Sequence, residues 1–496
     1  MRDAATGPRI RTAEGVVEGR WRAGLAEFRG IPYARPPVGD LRFAAPAAPT
    51  TWDGTRRATE FGPPPPQSGP AQTDAARDTD WLTLNVSTPD PGTAGLPVLV
   101  WIPGGAYITA VSGDPSYDPA RLCAAGLVVV SLNYRVGVEG FALVDGAPPN
   151  RGLLDQVAAL DWVRRNVARF GGDPAQVTVA GQSAGAGSIA ALLTMAPARG
   201  LFRRAITHSV PGSHCTPALA REVTAALAVR VGAKPTAAAL GAVDPWRLAD
   251  EVTALGAELS ADRGRWGRIA QTGVPVCPVL DGEVLPDTPW SALTGGRAAG
   301  IDLVVGHTRD EFRLFSVMTG RAGTFTEQEA RTALEVWAPP GGADAYRAGY
   351  PDAGPDVLLE TVSSDALFRM PSLHLAEANT AAGGTSYLFE LCLEAPGLGA
   401  CHSLDVPLAF GTLDGPTGRQ VFGADPDAGT VRLAQEMQQS WVRFAGGGDP
   451  GWPAYRPGDR LTRVLDRESR TVPYPEEVSR RIWAGHAPVP FDLTTA

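Results

Sequence analysis

The run Val177-Thr178-Val179-Ala180-Gly181-Gln182-Ser183-Ala184-Gly185 leaves this chain few architectures to choose from. A β-branched stretch ends in Gly-Gln-Ser-Ala-Gly, and an Ala/Leu-rich helical pattern begins at once. Strand, sharp turn and helix in that order form the context of a nucleophile elbow. The turn tips one serine out of the sheet, and small neighbours let its strained backbone fit. The N–H of the following residue then lies at a helix N-terminus, aimed at developing negative charge.

The flanking sequence predicts the sheet that such an elbow needs. Leu96 to Ile102 and Leu127 to Asn133 are nearly continuous apolar runs, as in strands buried on both faces, and Leu82 to Val86 alternates. Leu153, Leu154, Val157, Leu160, Val163 and Val167 form a helical stripe, which Gly171-Gly172-Asp173-Pro174 ends before the elbow strand. Ile301 to Val305 and Tyr387 to Leu393 read as further strands, each leading into a loop, and residues 430–446 as a C-terminal amphipathic helix. Residues 210–270 and 315–380 read as helical insertions, with Leu219, Val223 and Leu227 on one face. The first sixty residues hold short β-like runs, and Phe61 to Asp80, with Pro63 to Pro66, reads as an exposed loop. The fold class predicted is α/β, a large mostly parallel sheet with helices on both faces and its site at the carboxyl ends of the strands. No repeat, long linker or abrupt charge change divides the 496 residues, so one domain spanning 1–496 is expected.

A formal charge of −9, with no basic stripe interleaved with aromatics, excludes a nucleic-acid footprint. No apolar run approaches a membrane span, and Met1 to Gly7 lacks the apolar region of a secretory signal. Cys123, Cys215, Cys277, Cys392 and Cys401 are odd in number and lack metal-type spacing. They read as buried thiols of a reducing compartment, which points to the cytoplasm; Cys401, beside His402, is open to minor oxidation at most.

A serine hydroxyl is a poor nucleophile near neutral pH until a histidine takes its proton and a carboxylate orients that histidine. The chain has six histidines. His402 follows a strand and stands late in the chain, as the order serine, acid, histidine requires. His374 is the rival but lies in a helical pattern. His307 reads as a loop residue supporting the site, His214 and His486 as surface or loop residues, and His208 belongs to a motif considered below. Asp310 and Glu311 are adjacent after the strand ending at Val305, and at most one can face the histidine. Asp287, Asp365 and Asp405 are weaker rivals, and spacing leaves the acid open. Val98 to Tyr107 runs a buried strand into Gly104, Gly105 and Ala106, small residues that let backbone N–H groups approach an oxyanion closely. Gly105, Ala106 and Ala184 are the donors expected.

With these residues assembled, the chain resembles the type-B carboxylesterases, the family of the cholinesterases and bacterial para-nitrobenzyl esterases. The resemblance runs through Phe28-Arg29-Gly30-Ile31-Pro32-Tyr33-Ala34, Pro36-Pro37-Val38-Gly39, Asn133-Tyr134-Arg135-Val136-Gly137, Gly152-Leu153-Leu154-Asp155-Gln156 and Phe170-Gly171-Gly172-Asp173-Pro174. It implies an α/β-hydrolase fold with helical insertions over the active site, Ser183 as nucleophile, His402 as base, Glu311 as acid and Ser209 as a supporting serine. It also implies an acyl-enzyme route to hydrolysis of a small-molecule ester, without metal or cofactor. An amidase, carbamate hydrolase or lactonase would use the same residues. A non-catalytic adhesion module is disfavoured, because dead relatives characteristically lack the serine. Gln182 stands where the family commonly has glutamate, which removes a negative charge and turns preference from choline esters to neutral ones. Trp81 stands where the family has a cysteine, so the family disulfide around residues 66–81 is not expected. Pro103, Phe312, His208 and Val210 are further departures that bear on pocket shape.

Overall fold

The computed structural model describes residues 7–69 and 79–493. Its strands, in chain order, are β1 (Arg9–Arg11), β2 (Val16–Glu18), β3 (Arg20–Arg22), β4 (Leu25–Pro32), β5 (Thr55–Arg57), β6 (Thr83–Thr88) and β7 (Leu96–Ile102). There follow β8 (Val128–Leu132), β9 (Gly172–Gln182), β10 (Arg204–His208), β11 (Asp302–Thr308), β12 (Thr385–Leu391), β13 (Leu461–Leu465) and β14 (Arg470–Pro473). Strands β1, β2 and β5 make a small three-stranded sheet. The other eleven form one sheet in the order β14-β13-β12-β11-β10-β9-β7-β8-β6-β4-β3. Neighbours from β8 to β13 pair in parallel, whereas the pairings of β14 on one edge and of β6, β4 and β3 on the other are antiparallel. The α/β expectation, a mostly parallel sheet, is what is found.

The continuous apolar runs have a direct cause. Val98, Val100 and Ile102 of β7 point into one core, and Leu99 and Trp101 into the other. A strand covered by helices on both faces has no position left for water, so the alternation of a half-exposed strand is lost. The helices Arg151–Asn166 and Ala184–Leu192 pack against one face, and the twenty-residue helix Ala428–Gly447 against the other.

Three sequence expectations need correction. Pairing of β9 begins at Gly172, inside the Gly-Gly-Asp-Pro segment read as a terminator, and a register shift between Leu96 and Val98 of β7 absorbs the irregular residues that follow. His307 lies within β11, fully buried, because the strand runs on to Thr308 in register with β12. His214 lies in a loop as expected but is buried, edge-on to Trp290, and so is no surface residue. Beyond residue 446 the chain adds β13, β14 and the helix Glu477–Ile482, elements too short for periodicity to show. Of the loop from Phe61 to Asp80, residues 70–78 lie outside the described residues. Among the described residues no helix is long and apolar enough to cross a membrane.

Candidate active site

Ser183 sits between the last residue of β9 and the first residue of the helix Ala184–Leu192, with φ 56° and ψ −125°. Left-handed backbone at a non-glycine residue is strained and persists only where its surroundings fix it. Here the Ser183 N–H donates to the His208 carbonyl at 2.9 Å and its carbonyl accepts from the Gly187 N–H at 2.9 Å. The two glycines of the pentapeptide are demanded by contact. A Cβ on Gly185 would lie 2.1 Å from the Ile102 carbonyl oxygen, and one on Gly181 would lie 2.8 Å from the Gly185 carbonyl carbon.

The loop after β7 turns past Ser183 in left-handed conformation, with φ 130° at Gly105, 56° at Ala106 and 61° at Tyr107. Tyr134 supports it by donating its hydroxyl to the Pro103 carbonyl at 2.7 Å. No acceptor among the described residues takes the N–H of Gly105 or Ala106. Ala184, the first residue of its helix, likewise has an N–H that no intrahelical carbonyl can satisfy. All three residues line the cavity that holds Ser183.

His402 follows β12 on a loop closed by the Ala395 and Gly399 bridge. Its Nδ1 lies 2.5 Å from Oε2 of Glu311, which is fully buried, and Oε1 of Glu311 accepts the Thr308 N–H at 2.9 Å. Asp310 faces elsewhere, paired with Arg309 and with the Ala400 N–H. The remaining carboxylate rivals are also engaged: Asp287 with Arg297, Asp365 with Arg369 and Tyr346, and Asp405 with His208. His374 lies in the helix Met370–Ala381 against Glu377, and His307 hydrogen-bonds Tyr474. Nε2 of His402 is 3.0 Å from the side-chain nitrogen of Gln182. Among the described residues, no hydrogen bond joins the Ser183 hydroxyl to His402. Both line one cavity of about 800 Å³. Ser209, with φ 55°, is fully buried and its hydroxyl has no hydrogen-bond partner among the described residues.

Two groups of residues were not legible as site components. Phe368 packs on the His402 ring with centroids 4.4 Å apart, and Phe315 lies 5.5 Å from it. Phe368 belongs to a π-helical turn, Asp365–Arg369, that leads into the helix Met370–Ala381. Such turns cluster at functional sites but have no sequence period of their own. The second group is the fully buried pair of His208 and Asp405, 2.8 Å apart, with Trp441 donating to the other ring nitrogen at 2.9 Å.

Much of the cavity wall comes from the segments 256–277, 312–337 and 359–368, with Phe312, Phe315, Phe325 and Trp337 among them; these overlap the expected insertions 210–270 and 315–380 but run beyond them at 271–277 and 312–314.

The chain is similar to known proteins along almost its whole length. Residues 6–472 match the profile of the Carboxylesterase family. The para-nitrobenzyl esterase of Bacillus subtilis (strain 168) is 36% identical over 496 residues, covering 95% of this chain and 97% of that one. A solved PNB esterase structure superposes with a TM-score of 0.85 at 33% identity, covering 96% of this chain and 99% of the other. The carboxylesterase of Geobacillus stearothermophilus gives 0.84 at 32% identity, with coverage of 96% and 99%.

Proposed function

The chain belongs to the carboxylesterase family and is a carboxylic ester hydrolase; from that premise we propose that Ser183, His402 and Glu311 carry the reaction. The observation that bears most weight is the 2.5 Å contact of Glu311 with His402 Nδ1, at the wall of the cavity that also exposes the strained Ser183. Ser183 Oγ attacks the acyl carbon while its proton passes to His402 Nε2. The N–H groups of Gly105, Ala106 and Ala184 gather the oxyanion. Collapse of the tetrahedral adduct breaks the ester C–O bond, and His402 returns the proton to the departing alcohol oxygen. A water then attacks the acyl-enzyme, giving its proton to the same Nε2. The acid leaves as Ser183 recovers its hydrogen. Glu311 holds the Nδ1–H tautomer and offsets the imidazolium charge in each half.

The substrate is a small neutral ester with an apolar or aromatic group, which suits walls of phenylalanine and tryptophan and the uncharged Gln182. We read residues 1–496 as one catalytic domain whose segments 210–270 and 315–380 cover the site. All five cysteines are free, which supports placement in the reducing cytoplasm. Initial rates on nitrophenyl esters from acetate to laurate, with a matched anilide, test the reading together with Ser183→Ala. Ester turnover that vanishes in Ser183→Ala with the fold intact is the expected result, and retained turnover overturns it.

A further inference from the structure

The side-chain nitrogen of Gln182 lies 3.0 Å from Nε2 of His402, the nitrogen that must accept the proton of Ser183. Oε2 of Glu311 is a buried acceptor, so the proton of a neutral His402 resides on Nδ1 and the ring's single lone pair is at Nε2. The Gln182 amide meets that lone pair at 3.0 Å. Only its NH2 group can face a lone pair, because the opposite amide orientation would set a carbonyl oxygen against it. The contact is enclosed, with Gln182 and His402 each 5% exposed. A Cβ on Gly104 would lie 2.6 Å from the Gln182 backbone carbonyl oxygen and 3.2 Å from its Oε1, so the glycine leaves room for the Gln182 backbone first and for its amide as well.

We propose that Gln182 is a positioning residue whose amide competes with the Ser183 hydroxyl for the Nε2 lone pair of His402, latching the imidazole until substrate enters. This rests on the assignment of Ser183, His402 and Glu311 above. With its NH2 facing Nε2 the latch supports neutral imidazole, because protonation of Nε2 breaks that contact and the buried amide must turn its Oε1 to the ring to regain one. A carboxylate at the same place does the reverse, holding imidazolium. The other groups facing His402 leave this contrast undisturbed. Phe315 and Phe368 are neutral, and burial pushes the Cys401 thiol up to about 12. Asp310 is neutralised by Arg309 and held by the Ala400 N–H, Asp405 is bonded to His208, and Glu311 is common to every variant.

The test is the pH profile of kcat/KM for para-nitrophenyl acetate, from pH 5 to 9, in the wild type, Gln182→Met and Gln182→Glu. One hydrogen bond contributes about 0.5–1.5 kcal/mol. Removing the competing donor in Gln182→Met should therefore raise the plateau by roughly 2–10-fold and move the acidic limb upward by about 0.3–1 pH unit. Gln182→Glu should move the limb further in the same direction. If Gln182→Met does not fold, Gln182→Leu gives the same reading. A Gln182→Met limb that overlies the wild type, with an equal or lower plateau, overturns the latch; a purely structural role would lower kcat without moving the limb. Ser183→Ala run beside it separates the two failures. Turnover surviving in Ser183→Ala removes the triad, whereas a dead Ser183→Ala with an unmoved Gln182→Met limb removes the latch alone.

Discussion

Asp310 grips Ala400 from two sides: its N–H donates to the Ala400 carbonyl at 2.9 Å, and its Oδ2 accepts the Ala400 N–H at 2.9 Å. The loop carrying His402 is thereby fixed, two residues upstream, to the loop carrying Glu311. The two side chains diverge in the turn that follows β11: Asp310 turns to Ala400 and Arg309, and Glu311 turns to the imidazole.

These neighbours should respond oppositely to mutation. Glu311→Gln keeps the shape but loses the charge that favours imidazolium, and should lower kcat by about 10²–10⁴ with KM little changed. Asp310→Ala should reduce thermal stability more than kcat, because it frees the loop. Burial opposes ionisation of Asp310, but Arg309 and the Ala400 N–H outweigh it and hold the carboxyl below its usual range. That contribution is present above the unfolded-state carboxyl value and is lost as pH falls through the lower folded one. Steady-state kinetics and calorimetry on the two variants check both halves.

His208 joins the two arms of the site. Its carbonyl accepts the Ser183 N–H, and its ring bonds Asp405, three residues past His402. Trp441 can only donate, so His208 Nε2 is the acceptor and Nδ1–H points to Asp405. His208→Ala would leave the Asp405 carboxylate buried without its partner, a loss of about 3–5 kcal/mol. Asp405→Ala would strand only a neutral N–H, costing about 1–3 kcal/mol. Calorimetry should rank His208→Ala below Asp405→Ala in melting temperature.

Acid should weaken the fold through two buried histidines. Burial lowers His214 from 6.5 to about 4 and, with Arg369 adding to it, His307 from 6.5 to about 3. Between pH 6.5 and those values the unfolded chain binds protons that the folded one refuses, so stability falls as pH falls through that window. His214→Phe should flatten the decline of melting temperature between pH 6.5 and 4.

Phe368 covers one face of the His402 ring, and its loss should let the imidazole tilt. Phe368→Ala should lower kcat by about 10–100-fold across all acyl lengths, as small misplacements of a catalytic group do. A loss confined to long acyl chains would assign Phe368 to substrate contact alone.

Charge preference follows from Gln182. The enzyme should hydrolyse 3,3-dimethylbutyl acetate with higher kcat/KM than acetylcholine, its cationic isostere, and Gln182→Glu should narrow the gap by a few-fold. Paired initial rates read this directly.

The sheet and its elbow were legible because both are local. Apolar runs at β7 and β8 and the Gly-x-Ser-x-Gly turn record which residues touch water and which touch a neighbouring backbone. The ends of β9 and β11 were misread because pairing with a neighbouring strand, which no single segment encodes, carried them further than their own residues indicate.

Sequence alone determined the strand, the turn and the serine at its apex, since a few adjacent residues create that geometry by steric necessity. Three contacts formed only when distant segments met, although the family resemblance had already implied the first. Glu311 rather than Asp310 reaches His402 across 91 positions, Gln182 rather than Ser183 holds the imidazole lone pair across 220, and the π-helical turn brings Phe368 onto the ring. Each depends on the direction of a side chain after packing, and direction is set by the whole core rather than by neighbours in the chain.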